Sequence, residues 1–427
     1  TRLVRQLVRF LDEAVPTVAG APLRDDPLRP LSAHARRLVA EMGDDTPIEW
    51  LGPADRFHEK LATPDVTIAD LIGDVDPIKA ANEGLALDDE EVIQYGLVPR
   101  SHRGIFAINE LPDLAPRIQV GLLNIMEEKD VQIRGFPVRL PLDLLMVFTA
   151  NPEDYTNRGS IITPLKDRID SQIHTHYPLD VDEAMRITEQ EAWIGRDAEV
   201  RIPAFLRRAI DEAVFLARES EFVDQASGVS ARAAISAYEN VISNVERRVH
   251  TVAGCAPVAR VCDLSAAVPA LTGKLELAYE GEQEGVRTVA RDLLGKALKR
   301  AFRAHFPDPA ARSGKRQKPG HDEPDPGIYA PITGWFSGGK RVEITDLLDD
   351  EAYRAALSQV EGLERLVRRH MEVDEEALPA AMELVLEGLY QSSFVAKEDL
   401  DRGSLYSDML LRMFEGMGRA EGSAGEG

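Results

Sequence analysis

Two runs of apolar residues in the first half of the chain end abruptly at polar residues. Residues 104–108 are followed by Asn109 and Glu110, and residues 144–150 are followed by Asn151. A strand that is apolar on both faces is typical of a parallel sheet covered by helices on both sides. Helical stretches alternate with these runs, so the pattern predicts an α/β fold. The polar residues would then lie at the carboxyl ends of the strands, where open α/β sheets bind ligands.

In two further segments of the same region, apolar residues recur at regular spacing. Apolar residues at positions 3, 4, 7, 8 and 11 follow helical spacing, which predicts an amphipathic helix from the first residues onward. Residues 131–140 alternate between apolar and polar positions around Gly135 and Pro137, which predicts a hairpin.

The pattern changes twice farther along the chain. Strand signals fade after residue 178, where amphipathic helices take over, and Pro and Gly are concentrated after residue 306. These changes predict four segments, which are an α/β core at 1–178, a helical domain at 179–305, a flexible Pro/Gly-rich linker at 306–340 and a mainly helical C-terminal region at 341–427.

The charge of the chain narrows the classes of function. Its 427 residues include 50 basic and 73 acidic side chains, which gives a net charge of −23. A surface this negative repels phosphate backbones, so nucleic acid is a disfavoured partner, and no apolar run is long enough to span a membrane. Cys255 and Cys262 cannot form a disulfide framework, and we therefore expect a reducing, cytoplasmic environment.

Five motifs stand in a characteristic order and spacing along the chain. They are residues 104–110, the hairpin at 131–140, residues 149–153, residues 164–168 and residues 230–232. In this order they resemble the AAA+ ATPases, most closely the branch that holds the magnesium chelatase I subunit and the MoxR-like ATPases, over roughly residues 1–300. The resemblance implies a P-loop NTPase core at 1–178 and a helical lid at 179–305. It also implies that the five motifs are Walker B, the pre-sensor hairpin, sensor 1, the arginine-finger segment and sensor 2.

Two residues after the apolar runs are the candidates for catalysis within one subunit. Glu110 is expected to orient and polarise the water that attacks the γ-phosphate, and Asn151 to reach the same water or the phosphate through its amide. The alternatives are that Glu110 is a helix-capping or solvated acid and that Asn151 belongs to an ordinary Asn-Pro turn.

Two arginines are expected to contact nucleotide from outside the α/β core that binds it, one from a neighbouring subunit and one from the lid. Arg168 would act on nucleotide held by a neighbouring subunit, with Arg158 as an alternative finger, and Arg232 would sense nucleotide from the lid. Arg168 could instead be a surface residue paired with Asp167 or Asp170, and Arg232 a solvated side chain.

The chain departs from the family pattern at the phosphate-binding loop. It contains no G-x-x-x-x-G-K-[ST] motif, although Thr1 opens a helical stretch as the last residue of that motif does in the family. We expect the chain to begin just after the missing Lys, which leaves Thr1 and Arg2 beside the nucleotide and the Thr1 hydroxyl on the magnesium side. The alternative is a degenerate loop.

A second departure is Asn109, which stands where the family usually carries Asp. An amide oxygen can accept a hydrogen bond from magnesium-bound water but brings no charge, so Asn109 is a weak candidate for the Mg²⁺ site. In a protein with a complete P-loop, the substitution Asn109→Asp is therefore expected to tighten binding of Mg-ATP or to raise turnover.

The resemblance implies an ATPase that uses ATP and Mg²⁺. Hydrolysis would take place between the subunits of a homo-oligomeric, hexameric ring and would remodel a partner protein, commonly one with a von Willebrand factor A domain. The chain without its P-loop is expected to be inactive. The alternatives are a magnesium chelatase ATPase subunit proper, a nucleotide-binding scaffold with little hydrolysis, and a DNA-acting motor that the net charge disfavours.

Overall fold

The computed structural model describes residues 2–86, 89–128, 133, 140–151, 159–196, 199–225, 227–310, 327–400 and 402–409. The chain divides into two compact units, Thr1–His174 and Thr175–Gly427, and each has its own hydrophobic core. This division lies close to the change of pattern at residue 178. Among the described residues, no helix combines the length and the apolar character that crossing a membrane requires.

The first unit mixes short strands and helices. In chain order they are α1 (Arg2–Gln6), β1 (Val15–Val18), α2 (Ala33–Met42), β2 (Ile48–Leu51), β3 (Phe57–Leu61), α3 (Ile68–Leu71), β4 (Gly73–Val75), α4 (Pro77–Glu83), β5 (Ile93–Tyr95), α5 (Leu97–Arg100), β6 (Gly104–Asn109), α6 (Pro116–Glu128), β7 (Leu144–Phe148) and α7 (Thr163–Asp167).

A parallel sheet with the order β3-β6-β7 forms the centre of this unit. Every residue of β6 is buried, as expected for a middle strand with apolar residues on both faces. The apolar positions Ile118, Leu122 and Ile125 of α6 follow helical spacing and belong to the same core as Phe106 and Ile108 of β6. The predicted α/β class and parallel sheet are therefore confirmed.

Two antiparallel pairs lie outside the central sheet. Strand β1 pairs with β2, with Val15 opposite Leu51, and β4 pairs with β5. The predicted hairpin at 131–140 lies almost entirely outside the described residues, of which Ile133 and Leu140 are buried.

The predicted N-terminal helix is shorter than its apolar spacing indicated. Helix α1 ends at Gln6, a 3₁₀ turn follows over Leu7–Phe10, and Leu11 is already extended. Leu3 and Phe10 are exposed, so the apolar positions do not form one buried stripe. The helix stops because the chain must extend toward β1, whose pairing with β2 satisfies the backbone groups there.

The second unit is helical for most of its length and ends in a small sheet. Its elements are α8 (Val181–Glu191), α9 (Ala204–Glu219), α10 (Arg232–Thr251), α11 (Val268–Thr272), α12 (Tyr279–Glu284), α13 (Val286–His305), α14 (Ala330–Ser337), β8 (Val342–Thr345), α15 (Asp350–Ser358), α16 (Leu363–His370), α17 (Leu378–Tyr390), β9 (Ala396–Leu400) and β10 (Gly403–Ser407).

Residues 311–326 of the predicted linker at 306–340 lie outside the described residues, and the structure corrects only the C-terminal end of that prediction. Helix α14 lies within that range and buries Ile332, Trp335 and Phe336 in the same core as Phe302 of α13. Pro331 lies in the first turn of α14, where proline starts a helix rather than breaking it. The structure also contains an antiparallel sheet of order β8-β10-β9, which the sequence pattern did not predict.

Candidate functional site

The polar residues predicted at the end of the Walker B strand lie at the carboxyl edge of the parallel sheet. Asn109 is the last residue of β6 and is buried, and Glu110 follows it with φ 57° and ψ 51°. A non-glycine residue in this left-handed region is strained, and such strain is concentrated at functional sites. The turn at Glu110 ends the strand and begins the 3₁₀ turn Leu111–Asp113.

Thr149 connects these two residues to the end of β7. The Glu110 backbone N–H donates to Thr149 Oγ1 at 3.2 Å, and the Thr149 hydroxyl donates to Asn109 Oδ1 at 3.2 Å. Backbone bonds of 2.9 Å from Thr149 N to Ile108 O and from Leu111 N to Thr149 O fix the same junction. The position of Glu110 is thus set by two neighbouring strands.

Glu59 of β3 brings a carboxylate to the same edge from the other side of β6. Arg5 of α1 forms an ion pair with it, in which Arg5 Nε donates to Glu59 Oε2 at 3.0 Å. The Arg5 hydrogen bond lowers the pKa of Glu59, and the charge of Arg5 and a hydrogen bond from the Asn109 side chain act in the same direction. Glu59 is therefore ionised at neutral pH.

The orientation of the Asn109 amide follows from its neighbours. Its Oδ1 accepts from the Thr149 hydroxyl, which leaves the amide NH₂ on the opposite side. One run of hydrogen bonds connects Asn109 through Thr149 to the backbone of Glu110, and Arg5 pairs separately with both oxygens of Glu59.

The other residues predicted near the nucleotide are not described in contact with Asn109 or Glu110. Asn151 is exposed and lies three residues beyond the end of β7. Arg2 is the exposed first residue of α1, and Thr1 lies outside the described residues. The structure thus brings Asn109 and Glu110 together and adds Glu59 and Thr149 to them.

Arg168 follows α7 in the first unit and is held by α6. Its Nε donates to Glu127 Oε2 at 2.8 Å, and its Nη1 donates to the Pro164 carbonyl at 2.9 Å. The partner of Arg168 is therefore Glu127, and neither Asp167 nor Asp170 takes that place. Arg158 lies outside the described residues.

The segment that leads to Arg168 is fixed by buried contacts. The Gln119 side chain of α6 donates to Ser160 O at 3.1 Å and accepts from Ile162 N at 2.9 Å. Gly159 has φ 149°, and a Cβ there would lie 2.2 Å from the carbonyl oxygen of Pro112, just after Glu110. This close approach requires glycine.

Arg232 belongs to the second unit and is the first residue of α10. Its side chain is exposed, and its backbone N–H donates to Ser230 Oγ at 3.2 Å. The serine and arginine of the predicted sensor 2 motif therefore stand together at the start of a long helix.

The donor set at the sheet edge fits magnesium bound together with a nucleotide. No group of three His, Cys, Asp or Glu side chains within the described residues could hold a metal alone. Mg²⁺ in nucleotide sites needs only one or two protein carboxylates, because phosphate oxygens and waters complete its octahedron. The Asn109 amide oxygen is a hard donor that could accept from a magnesium-bound water, whereas both oxygens of Glu59 accept from Arg5.

Glu59 and Thr149 are residues at this edge that were not candidates by sequence. Glu59 lies outside the five motifs, in the polar middle of β3, and no local signal marked it. Thr149 is the first residue of the motif at 149–153, in which only Asn151 was a candidate.

A second polar cluster lies beside the β1–β2 pair, in a cavity of about 560 Å³ that Arg24 and His58 help to line. The ring nitrogens of His58 lie 3.2 Å from Arg24 Nη2 and 2.9 Å from Ser101 Oγ. Burial, followed by the charges of Arg24 and Arg100, lowers the pKa of His58 to about 4. This neutral histidine was not marked by any motif.

The chain was compared with protein families, with characterised proteins and with solved structures. No family model matches the chain. An archaeal Lon protease of Thermococcus kodakarensis is 28% identical over 162 residues, which are 34% of this chain and 24% of that protein. A structure of the complex between the BchI and BchD subunits of magnesium chelatase covers 66% of this chain and 86% of its own, with 18% identity and a TM-score of 0.31. NtrX of Brucella abortus in complex with ADP covers 58% of this chain and 52% of its own, with 15% identity and a TM-score of 0.35.

The chain is similar to these proteins over part of its length. The match spans about a quarter of the length of the curated relative, and the TM-scores are low. The role of each residue of this AAA+-like core therefore rests on its own contacts.

Proposed function

We propose that this chain is the ATPase part of a ring-forming AAA+ protein of the magnesium chelatase I and MoxR-like type. The observation that carries the proposal is the carboxyl edge of the β3-β6-β7 sheet, where Glu110 is held in a left-handed turn beside Asn109. An acid positioned there can orient a water for attack on a terminal phosphate, which is the main task of the protein in phosphoryl transfer.

The residues around Glu110 have separate tasks in this proposal. Thr149 holds the Glu110 backbone, so that its carboxylate projects from a fixed point. Asn151 would orient the attacking water or the phosphate. Magnesium bound with the nucleotide would neutralise charge on the phosphate oxygens.

Arg168 would act across the boundary between two subunits. Its segment is anchored to α6 by Gln119, and its guanidinium is held by the exposed carboxylate of Glu127. An exposed ion pair of this kind is weak, so a phosphate group can replace it. Arg232 would contact the nucleotide from the helical lid. The partner to be remodelled would be a protein with a von Willebrand factor A domain.

Mixing two inactive variants tests catalysis and the trans action of Arg168 together. We expect Glu110→Gln and Arg168→Ala each to lower the rate of ATP hydrolysis by about 10³-fold while nucleotide still binds. In an equimolar mixture, a subunit with Glu110 can meet a neighbour with Arg168. About a quarter of the interfaces would then be complete, because each interface is formed by unlike surfaces of two subunits.

The assay uses the natural protein, including any residues before Thr1, with Glu128→Gln as an exposed control on α6. No recovery in the mixture would show that Arg168 does not act in trans. Equal, near-zero rates for wild type and Glu110→Gln would overturn the enzyme and favour the nucleotide-binding scaffold, which Asn109 and the absence of a P-loop motif in the chain also suggest.

A further inference from the structure

We infer that Gln119 is a positioning residue for Arg168, because it fixes the segment that carries this arginine to helix α6. Gln119 would thus act on hydrolysis in the neighbouring subunit, whose nucleotide Arg168 contacts, and not on hydrolysis in its own subunit. This inference deepens the proposed function and rests on the action of Arg168 in trans.

The amide of Gln119 is fully buried and uses both its NH₂ group and its oxygen. The Nε2 atom donates to Leu114 O at 2.8 Å and to Ser160 O at 3.1 Å, and Oε1 accepts from Ile162 N at 2.9 Å. The bond to Leu114 fixes the side chain at the start of its own helix, and the other two bonds reach across to the finger segment. The amide therefore has one orientation in which all its partners are satisfied.

The backbone that Gln119 holds leads directly to the arginine. Ile162 is the residue before α7, and Arg168 is the residue after it. The Ile162 N–H takes no part in the hydrogen bonds of α7, so Gln119 gives this partly buried donor the acceptor that it requires. Helix α7 has five residues, and a helix this short depends on tertiary contacts for its stability. The orientation of Arg168 therefore depends on what fixes the ends of α7.

Helix α6 contacts this segment at two places. Gln119 holds the backbone before α7, and Glu127 accepts from Arg168 Nε at 2.8 Å. These two residues of α6 are eight positions apart, which corresponds to about 12 Å along the helix axis. The ion pair is partly exposed and can exchange with a phosphate group, whereas the amide is buried. When Arg168 leaves Glu127 for a phosphate, Gln119 would keep the segment in place.

The turn at Glu110 has anchors of its own. Leu114, which accepts from Gln119, ends the 3₁₀ turn that follows Glu110. The backbone N–H groups of Glu110 and Leu111 both bond to Thr149, at 3.2 Å and 2.9 Å. Loss of the Gln119 amide would therefore displace the finger segment more than the hydrolysis turn.

The first test mixes Gln119→Met with the two inactive variants of the natural protein described above. Methionine has a similar length but cannot form the three hydrogen bonds, and we expect ATP hydrolysis to fall by about 10–100-fold while ADP with a fluorescent label still binds. In an equimolar mixture with Glu110→Gln, the rate should rise to about a quarter of the wild-type rate, because intact fingers then meet intact Glu110. In a mixture with Arg168→Ala the rate should not rise, because neither kind of subunit presents its arginine correctly.

The second test asks whether the hydrogen bonds of the amide carry the effect. The carboxyl group of Gln119→Glu can donate one hydrogen bond when it is protonated and none when it is ionised. Burial favours the neutral form, so the rate of this variant relative to wild type should rise as the pH falls from about 8 to about 6. This measurement decides the matter if Gln119→Met fails to bind ADP. Gln94→Met, at an exposed position of β5 in the same unit, is the control for the exchange of glutamine for methionine.

The outcomes separate this inference from the proposed function. If Glu110→Gln and Arg168→Ala restore each other but neither restores Gln119→Met, Gln119 does not act through the finger and the proposed function stands. Recovery with Arg168→Ala in place of Glu110→Gln would assign Gln119 to hydrolysis in its own subunit and overturn the inference. A wild-type rate for Gln119→Met, or a relative rate of Gln119→Glu that does not change with pH, would overturn it as well. If Glu110→Gln and Arg168→Ala do not restore each other, the action in trans fails and the role of Gln119 fails with it.

Discussion

A single hydroxyl joins the two strands that carry the candidate site. Thr149 accepts from the Glu110 N–H and donates to Asn109, so it satisfies a backbone donor at a residue whose conformation is strained. A donor left without an acceptor in a partly buried place costs about 1–3 kcal/mol. The hydroxyl therefore contributes both to the stability of the turn and to the aim of the Glu110 carboxylate.

Replacing this hydroxyl tests its positioning role. We expect Thr149→Val to lower the maximal rate of ATP hydrolysis by about tenfold or more, because a small displacement of a catalytic group has effects of this size. The Michaelis constant for ATP should change little, since Thr149 binds no substrate. Thr149→Ser keeps the hydroxyl and should retain most of the rate, whereas equal losses in both variants would indicate that the methyl group and not the hydrogen bonds matters.

At the scale of elements, the second unit depends on the close packing of α13 against α17. Gly388 of α17 lies against the ring of Phe302, and a Cβ at this glycine would be 2.2 Å from Phe302 Cγ. Phe302 is fully buried and stacks on Phe306, with ring centroids 5.2 Å apart. The glycine is therefore required by the contact between the two helices, although it weakens α17 as an isolated helix.

A pair of alanine substitutions separates packing from helix propensity. Gly388→Ala should lower the free energy of unfolding by about 1–3 kcal/mol, because the added methyl group overpacks the core. Gly334→Ala in α14 meets nothing within 4 Å and should raise it by about 0.5–1 kcal/mol. Urea unfolding monitored by circular dichroism measures both, and a stabilising Gly388→Ala would show that the helices can separate at no cost.

At the scale of the whole molecule, a buried carboxyl group makes the stability of the chain depend on pH. Glu383 of α17 is 1% exposed and accepts hydrogen bonds from Tyr353 Oη of α15 at 2.6 Å and from Val261 N at 3.1 Å. The contact with Val261 joins residues 122 positions apart along the chain, and the contact with Tyr353 joins residues 30 positions apart. Burial raises the pKa of Glu383 to about 7, against the opposing effect of the Tyr353 hydrogen bond.

The raised pKa of Glu383 in the folded state determines how the stability changes with pH. Between pH 4.5 and about 7, the folded state keeps the Glu383 proton that the unfolded state has released, so this group lowers the stability as the pH rises. Lys397 and Arg260 reduce the rise of the pKa, and Asp263 adds to it. A shift from 4.5 to about 7 corresponds to about 3 kcal/mol.

Glu383→Gln removes this titration. Relative to wild type, the variant should gain about 3 kcal/mol of unfolding free energy between pH 4.5 and 7, because glutamine stays neutral at every pH. Urea unfolding at several pH values measures the difference. Glu284→Gln, at an exposed position of α12, is the control, and a difference for Glu383→Gln that does not vary with pH would contradict the prediction.

The sequence by itself determined the class of fold and the order of the motifs. The apolar run at 104–108 became β6, because a middle strand must be apolar on both faces wherever helices cover the sheet. The run at 144–150 became the neighbouring strand β7, which ends at Phe148 and is only partly buried. Asn109 and Glu110 lie at the carboxyl edge for the same reason. These features depend on residues that are close together along the chain, and a local pattern is sufficient to indicate them.

Only the tertiary structure decided which side chains meet at that edge. Glu59 lies diagonally beside Asn109, fifty residues away along the chain, because β3 pairs with β6 in a particular register, and a local pattern carries no information on register between distant strands. The same limit applies to Glu127 as the partner of Arg168 and to the burial of α14 in the core of the second unit.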